Sequence, residues 1–430
     1  MHKTDYGCSE YNSLSRRRFL SSAAGFGAGS FFGLLDPRIL YAQGAGTATA
    51  KNVILLWMAG GQSHIDTWDP HPGTDTGGPF EAIDTAADGI QISQHLPLTA
   101  EQFKHLSLIR SMTSREGSHE RATYLMHTGY APLGSFQHST LGSVVTKMTG
   151  KVNPDLPAYV SISGQSWKAG FLGSMYAPFH VNAPTQPLQN LSFHKGVDAA
   201  QFNARLDLLS DLDESFATSH RGIDAIQAYA EQYQAALRMM MSESAKAFDL
   251  EEERPDIRER YGKNGFGQGC LLARRLVQAG VRFIEVTLGG WDTHQDNFDK
   301  VKELSGTLDN AVSALIADLN DKGLLNSTMV ILTSEFGRTP RINGNEGRDH
   351  WPRAWSCLIG GGGVQGGRLI GKTTLGGHEV AERPIHVGEL HATICHALAI
   401  DTKEMNYSPD GRPIRVVKDQ QAEPIRELFA

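Results

Sequence analysis

The sequence predicts a three-layer α/β sandwich with a mainly parallel central sheet. Three observations lead there. Apolar runs of strand length recur along the chain, helical periodicity fills the gaps between them, and glycines, histidines and carboxylates follow the runs. Strands alternating with helices imply parallel pairing, with crossover helices on both faces of the sheet.

The elements follow in chain order. Residues 52–58 form a continuous apolar run ending in Ala59-Gly60-Gly61, as in a strand buried on both faces. Residues 106–110, 158–163, 281–288, 328–334 and 354–359 read the same way, and helices are expected over 121–127, 223–248, 267–280 and 301–322. The stretch 179–216 is polar and weakly periodic, and reads as an insertion shaping the surface above the sheet. Residues 52–430 are therefore read as one domain, preceded by a small-residue linker over 43–51.

The first 42 residues are read separately. Ser15-Arg16-Arg17-Arg18-Phe19-Leu20 has the S-R-R-x-F-L form of a twin-arginine export signal, and Leu40-Tyr41-Ala42 suits cleavage. The apolar stretch between them is shorter than the roughly 20 residues of a spanning helix and is diluted with Gly and Ser. The expectation is passage through the twin-arginine translocase to the periplasm or beyond, with no stable membrane span. A net charge of −7 with dispersed Lys and Arg argues against nucleic acid as a partner. Cys270, Cys357 and Cys395 lack paired spacing and read as buried free thiols.

In a parallel sheet the ligand site lies beyond the carboxyl ends of the strands. Those positions hold Gly60-Gly61-Gln62-Ser63-His64-Ile65-Asp66, Gly289-Gly290-Trp291-Asp292-Thr293-His294, Ser334-Glu335-Phe336-Gly337-Arg338 and Arg348-Asp349-His350-Trp351. Mixed carboxylate and imidazole suit zinc or manganese, so Asp66, Asp292, His294, Glu335, Asp349 and His350 are candidate ligands. Glu335 and Asp349 could equally pair with Arg338 and Arg348 as structural ions. Ser118 stands at the N-cap of a helix closed by Gly129; it is either a cap or a nucleophile whose alkoxide the helix terminus stabilises, and His119 is a ligand or an acid/base. Gly366 to Thr373 matches the phosphate-loop pattern G-x-x-x-x-G-K-T, yet the glycines and Pro384 that follow forbid the helix that loop requires.

These motifs, with His119-Glu120-Arg121-Ala122 and His127-Thr128-Gly129-Tyr130, resemble the bacterial family of domain of unknown function 1501 over nearly the whole chain after the signal. That family is similar to the alkaline phosphatase and sulfatase superfamily, whose members hold one or two divalent metals at the carboxyl edge of a parallel sheet. The resemblance implies an alkaline phosphatase-like fold. It matches Asp292 and His294 to the superfamily's Asp and His, Thr333-Ser334-Glu335-Phe336-Gly337 to T-x-D-H-G, His350 to the late ligand His and His391-Ala392-Thr393-Ile394 to the closing helix. Phe336 stands where a ligand His is expected, and Asp66 is displaced from the usual Asp. The missing C/S-x-P-x-R signature excludes a formylglycine nucleophile. Two readings follow. One is a metal-dependent hydrolase of small-molecule or polysaccharide phosphate or sulfate esters, with Ser118 as nucleophile, His119 beside it, and Arg338 or Arg348 clamping the oxyanion. The other is a non-catalytic relative that uses the cleft to bind an envelope polysaccharide or partner protein.

Overall fold

The computed structural model describes residues 48–430 apart from 135, 165–167, 190, 192, 220–223 and 430. The export signal and most of the linker lie outside the described residues. The strands used below are β1 (Asn52–Met58), β2 (Leu106–Met112), β3 (Tyr159–Ile162), β4 (Phe179–Val181), β5 (Phe283–Leu288), β6 (Thr328–Thr333), β7 (Gly337–Arg338), β8 (His350–Trp351), β9 (Trp355–Gly360) and β10 (Leu369–Ile370). Eight of them form one sheet in the order β10-β2-β9-β6-β1-β5-β3-β4. Only β9 runs against its neighbours in this sheet; the other pairings are parallel. The reason is local. The short β7–β8 ribbon turns the chain back directly after β6, and a return without a crossover helix can pair only antiparallel.

The longer helices are α1 (His119–Thr128), α2 (Leu141–Thr149), α3 (Ala199–Ser219), α4 (Asp224–Met241), α5 (Gly265–Gln278), α6 (Asn297–Asp321) and α7 (Val387–Ala397). Strand alternation divides β1 between two cores. Ile54, Leu56 and Met58 join Leu271 of α5 and Leu308, Val312 and Leu315 of α6 on one face, while Val53 and Trp57 join Val145 of α2 and Leu390 of α7 on the other. Burial on both faces stabilises the central strands by about 25 cal/mol for each Å² of apolar surface removed from water. The parallel register sets Met58 beside Leu288 and Trp57 beside Thr333, so the loops after β1, β5 and β6 leave the same edge.

The predicted α/β class and parallel sheet are present, and the strands fall within a few residues of their expected bounds. The segment 179–216 is more ordered than its composition suggests: it opens with the edge strand β4 and includes most of α3. Sequence periodicity misses α3 because its apolar residues lie on both sides. Phe202, Leu206 and Leu209 are half-buried, whereas Leu208, Leu212 and Phe216 are more than half exposed, so the 3.6-residue signal is blurred. No helix follows the phosphate-loop look-alike; Lys372–Thr373 pairs antiparallel with Val380–Glu382. Among the described residues no helix is long and apolar enough to cross a membrane.

Candidate metal centre

Four loops meet above β1. Bonds between side chains and backbone tie them together. Ser334 Oγ donates to Met58 O at 2.8 Å and accepts from Gln62 N at 2.9 Å, and Gly60 N donates to Glu335 Oε1 at 2.9 Å. This ties the loop after β6 to the loop after β1. Gly60 has φ +116°, and a Cβ there would lie 2.5 Å from Asp292 N. A Cβ on Gly347 would lie 1.9 Å from His294 O. Glycine at both positions lets backbone press on backbone.

Three imidazoles then point at one carboxylate oxygen. Asp292 Oδ1 lies 3.3 Å from His119 Nε2, 3.2 Å from His294 Nε2 and 3.5 Å from His350 Nε2. His294 Nε2 and His350 Nε2 are 3.0 Å apart. Each ring is held from behind. His119 Nδ1 meets Glu335 Oε1 at 2.8 Å, His294 Nδ1 meets Asp349 Oδ1 at 2.8 Å, and His350 Nδ1 meets Gly117 O at 2.8 Å. Acceptors at all three Nδ1 atoms assign the proton there and leave Nε2 as a lone pair in the neutral ring. His119 Nε2 is buried and makes no hydrogen bond.

Lone pairs facing each other at 3.0 Å repel unless a proton or a cation lies between them. Tetrahedral zinc with N and O ligands at roughly 2.0–2.1 Å would space its ligand atoms about 3.3 Å apart. The separations of His119 and His350 from Asp292 Oδ1 lie close to that value, and this imidazole and carboxylate set suits a divalent ion. Among the described residues, the ligand atoms of His119, Asp292 and His350 all lie within 4.8 Å of one another, and His294 approaches Asp292 and His350 from beside that group. Electrostatics agree with a crowded site. Burial would raise the Asp292 carboxyl, but Arg338 beside it, with His119 and His294, brings it down to about 2. The Glu335 hydrogen bond raises His119, whereas burial lowers His350.

The sequence matches a family model, "Protein of unknown function (DUF1501)", over residues 50–429. The chain belongs to that family. No curated protein matches this DUF1501 chain. Solved structures similar to it include the lipoteichoic acid synthase LtaP from Listeria monocytogenes, at 9% identity and TM-score 0.36 over 90% of both chains. A protein in the alkaline phosphatase superfamily from Vibrio parahaemolyticus matches at 10% identity and TM-score 0.38, covering 86% of this chain and 77% of its own. The PsFucS1 sulfatase from Pseudoalteromonas sp. matches at 12% identity and TM-score 0.37, covering 85% and 72%. At such identities no activity carries across.

The DUF1501 residues expected as one metal shell are divided by the structure. Asp292, His294 and His350 come together with His119. Glu335 and Asp349 instead stand behind His119 and His294, as acceptors at Nδ1. Asp66 does not join them: it pairs with Arg348, whose Nε lies 2.7 Å from Asp66 Oδ2 and whose Nη2 lies 3.0 Å from Oδ1, both side chains being 0% exposed. Ser63 Oγ and Asn297 Nδ2 fill the rest of that carboxylate at 2.5 and 2.9 Å. Arg348 is thereby removed from any oxyanion clamp. Arg338 is likewise fully buried, donating to Asp292 and to the carbonyls of Gly60, Gly61 and Arg348. Ser118 is exposed at the N-cap of α1 and its side chain makes no capping bond. Phe336 is fully buried, its ring centroid 4.9 Å from that of His119 and 4.7 Å from that of His350. The role of Gly117 O in holding His350 has no side-chain signature and is invisible in sequence.

Proposed function

We propose that the protein is an exported, metal-dependent hydrolase of phosphate or sulfate esters. The observation that carries this reading is the convergence of three oriented Nε2 lone pairs on Asp292 Oδ1. His119, Asp292 and His350 would hold the ion, with His294 beside them, and imidazole with carboxylate suits zinc or manganese. A divalent ion held there polarises an ester and offsets charge on the attacking oxygen. Glu335, Asp349 and Gly117 O keep the three rings in the ligating tautomer. Arg338 holds the Asp292 carboxylate ionised. Ser118 is the nucleophile in this reading: its hydroxyl is exposed, free of capping duty and set at a helix N-terminus, between the carbonyl that holds His350 and the ligand His119. The twin-arginine motif supports export.

A non-catalytic reading draws on Phe336, which fills the position of an expected ligand with an apolar ring. It predicts no stoichiometric metal. Elemental analysis of protein purified from the exported fraction decides between the two: the hydrolase reading requires about one zinc or manganese per chain and hydrolysis of an aryl phosphate or aryl sulfate. A metal-free protein that cannot be loaded sinks it.

A further inference from the structure

We infer that the centre is built for esters carrying one negative charge, sulfate monoesters or phosphate diesters, and not for phosphate monoesters carrying two. This rests on the hydrolase reading above. The inference comes from counting where the cations of the site are spent.

A doubly charged phosphate is offset most strongly by guanidinium or ammonium groups or by a second metal. The two arginines nearest the motifs cannot serve. Arg348 directs Nε and Nη2 at Asp66, Nη2 also at Thr76 O at 2.7 Å, and Nη1 at Thr339 O at 3.0 Å and at Pro340 O. All five of its N–H groups are thus matched by an acceptor. Arg338 has no exposed side-chain surface and its donors go to Gly61 O at 2.9 Å, Arg348 O at 3.0 Å, Gly60 O and Asp292. Arg121, near Ser118 in sequence, makes a two-pronged pair with Glu116 at 2.7 and 2.7 Å. Phe336 removes a place for a second ion, because its ring packs beneath His119 and His350 and touches Gly61, where an added Cβ would be 2.6 Å from it.

Negative charge, by contrast, is plentiful. Asp292, Glu335 and Asp349 all lie against the histidines of the centre, and Arg338 pairs with Asp292. One divalent ion leaves this group neutral overall. A singly charged ester then binds to the ion with little residual repulsion. The second charge of a phosphate monoester meets neither Arg338 nor Arg348, and Asp349, half exposed behind His294, adds to the negative charge around the centre. At an effective dielectric of about 20, such a charge weakens binding by about tenfold or more.

The test uses the full exported chain loaded with zinc or manganese, at pH 8, where a phosphate monoester with a second pKa of about 6 is doubly charged. Calorimetry compares dimethyl phosphate and methyl sulfate with methyl phosphate, and turnover is measured with bis(4-nitrophenyl) phosphate, 4-nitrophenyl sulfate and 4-nitrophenyl phosphate. The expected result is tighter binding of a singly charged anion, by about tenfold, with kcat/KM in the same order; which of the two singly charged classes leads identifies the ester. Asp349→Asn keeps an acceptor for His294 while removing one charge, and should narrow the gap about fivefold or more. Binding of methyl phosphate equal to or tighter than both singly charged anions overturns the inference, as does binding of none of the three. Full metal occupancy with the expected binding order but no turnover of any ester upholds the charge selectivity and sinks the hydrolase reading instead.

Discussion

Asp66→Asn separates a buried ion pair from a metal ligand. In the folded chain Asp66 accepts from Arg348 Nε and Nη2, Ser63 Oγ and Asn297 Nδ2, at 2.7, 3.0, 2.5 and 2.9 Å. The amide keeps the volume, removes the charge and turns one acceptor into a donor facing donors. Arg348 is then a fully buried cation without a counter-ion, which costs about 3–5 kcal/mol. In a chain of this size about 2 °C of Tm accompanies each kcal/mol, so a fall of about 6–10 °C is expected. Arg348→Met added to Asp66→Asn should not restore stability, because the guanidinium also satisfies the carbonyls of Thr76, Thr339 and Pro340. The assay is differential scanning calorimetry on metal-loaded and chelated protein, with elemental analysis of the same samples. The expected pattern is a large loss of Tm in both samples, with wild-type metal content below the transition. An unchanged Tm combined with lost metal would refute the assignment and return Asp66 to the ligand shell.

Other predictions concern the centre, the nucleophile, the surrounding fold and export. His350→Ala and Asp292→Ala should each lower metal affinity by more than the 10–100-fold typical of outer-shell changes, measured by equilibrium dialysis; full occupancy in both would make the cluster a hydrogen-bonded network without an ion. Ser118→Ala should cut turnover by orders of magnitude and leave Tm almost unchanged, since no capping bond is lost; retention of most activity would place the nucleophile elsewhere. For Asp69, burial alone would raise the carboxyl, yet His71, Arg110 at 3.1 Å and Thr373 at 2.6 Å lower it. A depressed carboxylate contributes stability that is present above its unfolded pKa of about 3.9 and is lost as pH falls through the lower folded value. Asp69→Asn should therefore flatten that part of acid denaturation, and an unaltered acid limb would contradict the pairing. Replacing Arg16 and Arg17 with Lys should leave precursor in the cytoplasm on fractionation, because the translocase reads the guanidinium pair.

The sheet was legible because its strands are buried on both faces and need continuous apolar runs, such as Val53 to Met58, that few other structures use. Helix α3 was hidden by apolar residues on both of its sides. At the centre, sequence position brought the right loops to one edge but could not tell which atom of each loop faces which. Glu335 and Asp349 carry the same chemistry as Asp292; they differ only in meeting Nδ1 of an imidazole while Asp292 meets Nε2. Asp66 looked like a ligand because it follows β1. A short turn aims it at Arg348, a partner that enters 282 residues later in the chain.

The tight seams at Gly60 and Gly347 give the centre an unusual vulnerability. Neither residue has a side chain that could bind, react or carry charge, yet a single methyl group at Gly347 would collide with the peptide that carries His294. The side chains of the centre are held by hydrogen bonds, which can be remade, whereas these seams have no atom to move aside. The least room for an added atom is therefore where two peptide planes touch. One carbon atom added at Gly347 would force apart the two loops that carry His294 and His350, with every side chain of the centre unchanged.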